Sequence, residues 1–339
     1  MKKIYLKGQR SNRTPLSYLA YKKLFQSMVD YSPKPEDADF LIYSCLMDIQ
    51  NDGEEINRIF AARPNIRLVI LSEEPLWDSL WSGDCFLKKN RIRIGDEEYP
   101  YTFLNHWTTR IYDFEKIPYF ITTSDDYFTR YAYLFNRNRA FKKDELKSLW
   151  NTAPNQLAFY AEFEDHTQFD VYFPEYDVRG LCRYRTLIAQ GINRDGVIRI
   201  GKRWGDTVVR QLLPDWHLDK LAALDKRSFM VSGIENTHQW NYVSEKLFDA
   251  FATLAVPLYF AGSFHAATRL VPPESFLNLY VLSVEDAIAK IRSFIPDHEF
   301  IDSYCAAQST LADTFSRPEY LVQERLRVVS EVISELEAL

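Results

Sequence analysis

Several large classes of protein are excluded by what this sequence has little of. Its 339 residues include only four cysteines, Cys45, Cys85, Cys182 and Cys305. They lie too far apart to form a C-x-x-C pair, which excludes a zinc knuckle and a small disulfide scaffold and fits a reducing compartment. Glycine is sparse, at 11 residues, and no G-x-G-x-x-G follows the first apolar run, so the dinucleotide fingerprint of a dehydrogenase is missing. The six histidines show no metal spacing such as H-E-x-x-H. Basic charge is not in excess: 41 Lys and Arg against 47 Asp and Glu leave a formal charge of −6. Such a chain has no field to hold nucleic acid or an anionic membrane. No stretch holds the roughly 18 uncharged apolar residues of a transmembrane segment. The N-terminal MKKIYLKGQRSNR is charged and lacks a signal-peptide core. A cytoplasmic protein is expected, soluble or peripheral at the inner membrane.

What is present is an alternation of strands and helices. Lys3 to Leu6 reads as a strand, residues 16–29 as a helix, Phe40–Tyr43 as a strand, residues 54–62 as a helix and Arg67–Leu71 as a nearly continuous apolar strand. Strands without polar alternation are buried on both faces, the pattern of a parallel sheet covered by helices. The aromatic stretch from 99 to 141 obscures the pattern, and the charged helical run 142–150 marks a domain boundary. The alternation then restarts, with strands at 157–163, Val197–Ile200, 229–231, 256–260 and 276–280. Helices are expected at 183–190, 242–254, 284–294 and 318–339. In the last, Leu321, Val322, Leu326, Val329, Ile333 and Leu336 form the apolar face. The chain length fits two domains of roughly 150 residues, here 1–150 and 151–339, each α/β and Rossmann-like. Ligands of such sheets sit at the carboxyl ends of the strands.

The segment from Asp225 to Leu279 carries the most chemistry. A buried strand, RSFMVSG, leads into Ile234-Glu235-Asn236-Thr237, and a helix is expected from about Asn241. Spacings of three and four place Tyr242, Glu245 and Lys246 on one face of that helix. A helix N-terminus offers free N–H groups and a positive dipole end to a diphosphate. Lys246 adds a full charge, Glu245 can accept from a ribose diol, and Asn236 can donate and accept. The same Glu-Lys pattern also occurs on ordinary solvated helices. In the first half, the strand RLVIL ends in Ser72-Glu73-Glu74-Pro75-Leu76-Trp77. That places two carboxylates where a cleft would be, and adjacent carboxylates raise one pKa toward that of a general base. A turn favouring Glu and Pro is the structural alternative. Asp37-Ala38-Asp39 is a D-x-D, but it precedes its strand and reads as a turn. His238 reads as an exposed loop histidine.

The motifs I-E-N-T (234–237), Y-V-S-E-K (242–246), V-P-L-Y (256–259) and P-E-S-F-L (273–277) resemble, in order, the signature region of glycosyltransferase family 10, the α1,3/1,4-fucosyltransferases. Ile234 and Thr237 replace Phe and Ser of the family pattern, and Phe260-Ala261-Gly262 replaces a Trp-Gly. The resemblance implies a GT-B fold, two Rossmann-like domains facing a central cleft. It also implies GDP-fucose as donor, with no metal and no further cofactor. Donor contacts are carried to Asn236, Tyr242, Glu245 and Lys246. A diphosphate-binding arginine falls on Arg183, with Arg185 as the alternative. The family's E-x-P base falls on Glu73, with Glu74 second, and Trp77 is a candidate to stack on the acceptor.

The reading is an inverting transferase moving L-fucose from GDP-β-L-fucose to a hydroxyl of an oligosaccharide or polysaccharide. A transferase of the same fold using another GDP-sugar, and a non-catalytic nucleotide-sugar binder, are the alternatives.

Overall fold

The apolar runs of the sequence become the central strands of two parallel sheets. In the computed structural model, which describes residues 1–78, 80, 81, 84–205 and 212–339, the chain divides into one unit of Met1–Asp125 with Glu319–Leu339 and a second of Asp126–Pro318.

The first unit holds β1 (Lys2–Lys7), β2 (Val29–Tyr31), β3 (Phe40–Tyr43), β4 (Arg67–Leu71), β5 (Lys89–Ile94) and β6 (Glu97–Leu104). They lie in the order β2-β1-β3-β4-β6-β5, parallel except for the β5–β6 hairpin. Side chains alternate across the sheet, as strand geometry demands. Phe40, Ile42, Val69 and Leu71 enter one core and Leu41, Tyr43, Leu68 and Ile70 the other. This is why β3 and β4 read as unbroken apolar runs.

The last helix, Pro318–Ala338, supplies Val328, Val329, Val332 and Leu336 to the first of those cores, beside Ile4 and Phe40. The chain therefore returns to its first unit at the end, and residues 319–339 do not complete the C-terminal domain as expected. The expected boundary after residue 150 also falls inside the second unit, because the helix Asp125–Asn138 packs there. Tyr131 and Phe135 of that helix meet Phe248 and Phe315. The apolar face of the last helix is corrected too. Leu321, Val328, Val332 and Leu336 are buried, whereas Val322 and Leu326 are 54% and 51% exposed.

The second unit contains β7 (Asn155–Tyr160), β8 (Tyr172–Phe173), β9 (Val178–Gly180), β10 (Val197–Ile200), β11 (Ser228–Ser232), β12 (Thr237–His238), β13 (Val256–Tyr259) and β14 (Leu277–Asn278). Five form a parallel sheet, β10-β7-β11-β13-β14, and β12-β9-β8 form a small antiparallel one. Numbered within each unit, the parallel strands of both sheets follow the doubly wound order 2-1-3-4-5. That order reverses between β1 and β3 and between β7 and β11, and the reversal opens a crevice at the strands' carboxyl ends. The expected α/β class, two Rossmann-like units, is what the topology displays.

Leu336→Ala removes a side chain 2% exposed and should cost about 2–5 kcal/mol, whereas Leu326→Ala should stay within about 0.5 kcal/mol. Urea unfolding of the two variants measures the difference, and equal losses would contradict the assignment of the buried face.

Candidate active site

At the carboxyl edge of the second sheet, β11 runs into Gly233-Ile234-Glu235-Asn236, beside the point where the strand order reverses. A side chain at Gly233 would place its Cβ 3.1 Å from the carbonyl of Lys246 and 3.4 Å from that of Leu258. Glycine there lets the following helix close onto the strand ends.

The helix is Glu245–Ala252, with Ser244 as its N-cap in extended conformation. Tyr242 lies in a turn before it, its N–H donating to the Gln239 carbonyl at 2.9 Å. The expected helix start near Asn241, with Tyr242, Glu245 and Lys246 on one helical face, is therefore corrected. A serine cap satisfies a first-turn N–H, and the chain enters the helix three residues later than its apolar spacing indicates. Tyr242 is buried.

Around the cap the side chains form one buried cluster. Glu235 accepts from the Ser244 N–H at 2.7 Å and from its hydroxyl at 2.6 Å. The Lys246 ammonium donates to the Ser244 hydroxyl at 2.9 Å and sits 3.2 Å from Glu235 and 3.3 Å from Glu245. Burial pushes the Glu235 carboxyl up, assisted by Glu245 and opposed by Lys246. Glu245 is also raised by burial, but Lys246 and Lys220 outweigh this and hold it below the usual carboxylate range. Two carboxylates thus share one ammonium at a helix N-terminus. That ammonium is the group an incoming anion would recruit.

Arg183 and Arg185 part company. On the helix Cys182–Gly191, Arg183 turns to Asp170 at 2.9 Å and to the Asp165 carbonyl at 3.0 Å. Arg185 is buried and donates to the Ile234 carbonyl at 3.0 Å and to Asn236 Oδ1 at 3.2 Å. Among the described residues its Nε is buried without a hydrogen-bond partner. Sequence spacing alone could not separate two arginines two residues apart on one helix.

His238 is not an exposed loop residue. It belongs to β12, is 2% exposed and reaches Asp177 Oδ2 at 3.2 Å, with Tyr280 donating to the same carboxylate at 3.1 Å. Pairing of β12 with β9 turns the ring inward, where it stacks on His265 at 5.0 Å between centroids.

In the first unit the residues after β4 also converge. Glu73 is buried and accepts from Tyr18 at 2.6 Å, Arg13 at 3.1 Å and Tyr119 at 2.7 Å. Glu74 lies 3.8 Å from Arg13. The Trp77 ring is flanked by the guanidiniums of Arg10 at 4.8 Å and Arg13 at 4.9 Å, within cation–π range. The loop after β1 supplies Arg10, Arg13 and Tyr18, none of which stood out in the sequence. The only signal was two arginines following a strand at the reversal point. Asp39 accepts from the Lys3 N–H and from Arg63, both at 2.9 Å, directly before β3.

Against known proteins, residues 202–316 match the profile described as "Glycosyltransferase family 10 (fucosyltransferase) C-term". This segment is similar to the C-terminal part of glycosyltransferase family 10. The chain is also 31% identical over 96 residues to the Alpha-(1,3)-fucosyltransferase C of Drosophila melanogaster. The aligned residues are 28% of this chain and span 22% of that relative. Solved structures of an alpha1,3-fucosyltransferase with GDP-fucose and with GDP align over 93% and 98% of this chain, covering 81% and 90% of theirs. Identity is 13% in both and the TM-scores are 0.41 and 0.43, too low to transfer any residue's role. Glu235, Asn236, Tyr242, Glu245 and Lys246 lie inside the family 10 segment, whereas Glu73, Arg183 and Arg185 lie outside it.

Ser244→Ala removes the helix cap, the hydroxyl's donation to Glu235 and its acceptance from the Lys246 ammonium, so stability should fall by about 1–2 kcal/mol. Chemical denaturation reads the loss, and a change under about 0.3 kcal/mol would show that the cap is not what orders this helix start.

Proposed function

We propose that the protein is an inverting fucosyltransferase that uses GDP-β-L-fucose as donor and an oligosaccharide or polysaccharide hydroxyl as acceptor. The observation that carries the reading is the buried Lys246–Ser244–Glu235–Glu245 cluster at a helix N-terminus within a family 10 segment. It is a site built to take a diphosphate next to a diol. In this reading Lys246, the helix N-terminus and Arg185 meet the charge that grows on the leaving diphosphate. Arg185 takes the role that the sequence first assigned to Arg183. Glu245 accepts from the ribose hydroxyls, and Asn236 and Tyr242 line the same donor site.

Glu73 is assigned as the base. Tyr18, Tyr119 and Arg13 hold its carboxylate in one orientation. Oε2 accepts one bond, from Tyr119, among the described residues, which keeps a lone pair for a substrate hydroxyl. The acceptor hydroxyl would lose its proton to Glu73 as its oxygen bonds to the anomeric carbon and the bond to the GDP oxygen breaks. Attack opposite the leaving group inverts β to α. The family resemblance implies that this proceeds without a metal or a further cofactor, in a cytoplasmic enzyme.

Incubating the protein with GDP-fucose over a glycan array tests the activity. Glu73→Gln should lower kcat by about 10²- to 10⁴-fold, with a smaller loss for Glu74→Gln. Wild-type rates in Glu73→Gln would remove it as base, and transfer only from another GDP-sugar would change the donor. Titrating GDP separates the arginines. Arg185→Ala should weaken binding by about 10- to 100-fold, as expected for a charge-assisted bond, while Arg183→Ala stays within about twofold. The reverse order would restore Arg183.

A further inference from the structure

Behind the donor cluster, on the same helix, lies a second buried ion pair. Asp249, one turn after Glu245, is fully buried, and its Oδ2 sits 2.7 Å from the ammonium of Lys220, itself 3% exposed. Its Oδ1 accepts from Tyr131 at 2.6 Å and lies 2.8 Å from His217 Nε2. Arg130 Nη1 lies 3.0 Å from His217 Nδ1 and can only donate, so Nδ1 accepts and the ring proton sits on Nε2, pointing at Asp249. Lys220 is then the cation that balances Asp249. Two buried carboxylates one turn apart repel each other in a medium that screens poorly. The charges around Glu245 are Lys246 and Asp249 on its own helix, Glu235 on the loop after β11 and Lys220 on the helix Trp216–Leu224. The phenols of Tyr131 and Tyr259 complete its surroundings.

We propose that Lys220 is a positioning residue for the donor site: paired with Asp249, its ammonium keeps the Glu245 carboxylate anionic and available to a ribose diol when a diphosphate draws on Lys246. The inference rests on the donor-site reading given above. Its physical basis is that Lys246 is the cation nearest Glu245 and is already shared with Glu235 and Ser244. Once a bound diphosphate competes for that ammonium, Lys220, held 2.7 Å from Asp249 one turn along the helix, still favours ionised Glu245.

The test is GDP affinity measured by calorimetry across pH, with 2′,3′-dideoxy-GDP as the probe that lacks the diol. Lys220→Met should weaken GDP about tenfold, leave dideoxy-GDP nearly unchanged, and move the acid limb of GDP affinity up by about one pH unit, since losing a cation makes Glu245 easier to protonate. Asp249→Asn should move that limb down, since it removes the like charge and leaves Lys220. Lys220→Arg should restore wild-type behaviour, and Glu245→Gln should abolish the part of the limb that the variants move. The opposite signs are the diagnostic readout. A purely structural pair would weaken both ligands in both variants and shift neither limb, which overturns the inference; should Lys220→Met not fold, an unmoved limb in Asp249→Asn does the same. Equal affinity of the wild type for GDP and dideoxy-GDP would instead sink the ribose role of Glu245, and with it the need for Lys220.

Discussion

The second unit is organised around one shared cation. The ammonium of Lys246 lies within 3.3 Å of two buried carboxylates and a capping hydroxyl, and each partner depends on it. Without that charge, Glu235 and Glu245 would stand buried at the end of one sheet with Ser244, the helix N-terminus and, for Glu245, Lys220 to offset them. Burying carboxylates costs several kcal/mol per ion unless they are paired. Glycine at 233 allows the close approach, and Ser244 sets the residue at which the helix begins. The helix that follows is packed on nearly every side: all its residues but Lys246 are buried. The one residue of the helix left partly open is Lys246.

The first unit uses a different device at the corresponding edge. There a carboxylate, Glu73, is held by two phenols and a guanidinium that arrive from the loop after β1 and from the helix Tyr119–Thr122. Burial raises the phenol of Tyr119 far above its ordinary value, and the Glu73 charge adds to that, so Tyr119 remains a donor at any physiological pH. The same Arg13 that bonds Glu73 lies over Trp77, so orientation of the acid and of the ring are linked.

Much of this was legible in the sequence wherever burial on both faces leaves an unbroken apolar run. β3 and β4 fall at the residues their composition indicates. The helix His298–Phe315 was missed because Ala307, Gln308 and Ala312 thin out the buried face formed by Phe300, Ile301, Tyr304, Leu311 and Phe315; Tyr304 and Gln308 also donate to the Ala255 and Phe251 carbonyls. The hairpin of β5 and β6 was hidden by charged residues at an exposed sheet edge. In the site, the family resemblance pointed to Asn236, Tyr242, Glu245 and Lys246, of which Glu245 and Lys246 are joined by an ion pair at the helix start. Glu235 stood inside the same motif, yet its role as the anchor of Ser244 and Lys246 appears only when β11 and the helix are brought together. Arg185 meets the Asn236 loop and Arg183 turns to Asp170 because they lie on different faces of one helix, and two residues of spacing do not reveal that.

The central claim is that this cluster grips the diphosphate and ribose of a guanosine nucleotide. A crystal structure of the protein with GDP tests it most directly. The account predicts phosphate oxygens within hydrogen-bond distance of Lys246 Nζ and Arg185, with the ribose hydroxyls on Glu245. A nucleotide bound elsewhere, with the Lys246–Glu235–Glu245 contacts unchanged and no phosphate near them, would contradict it.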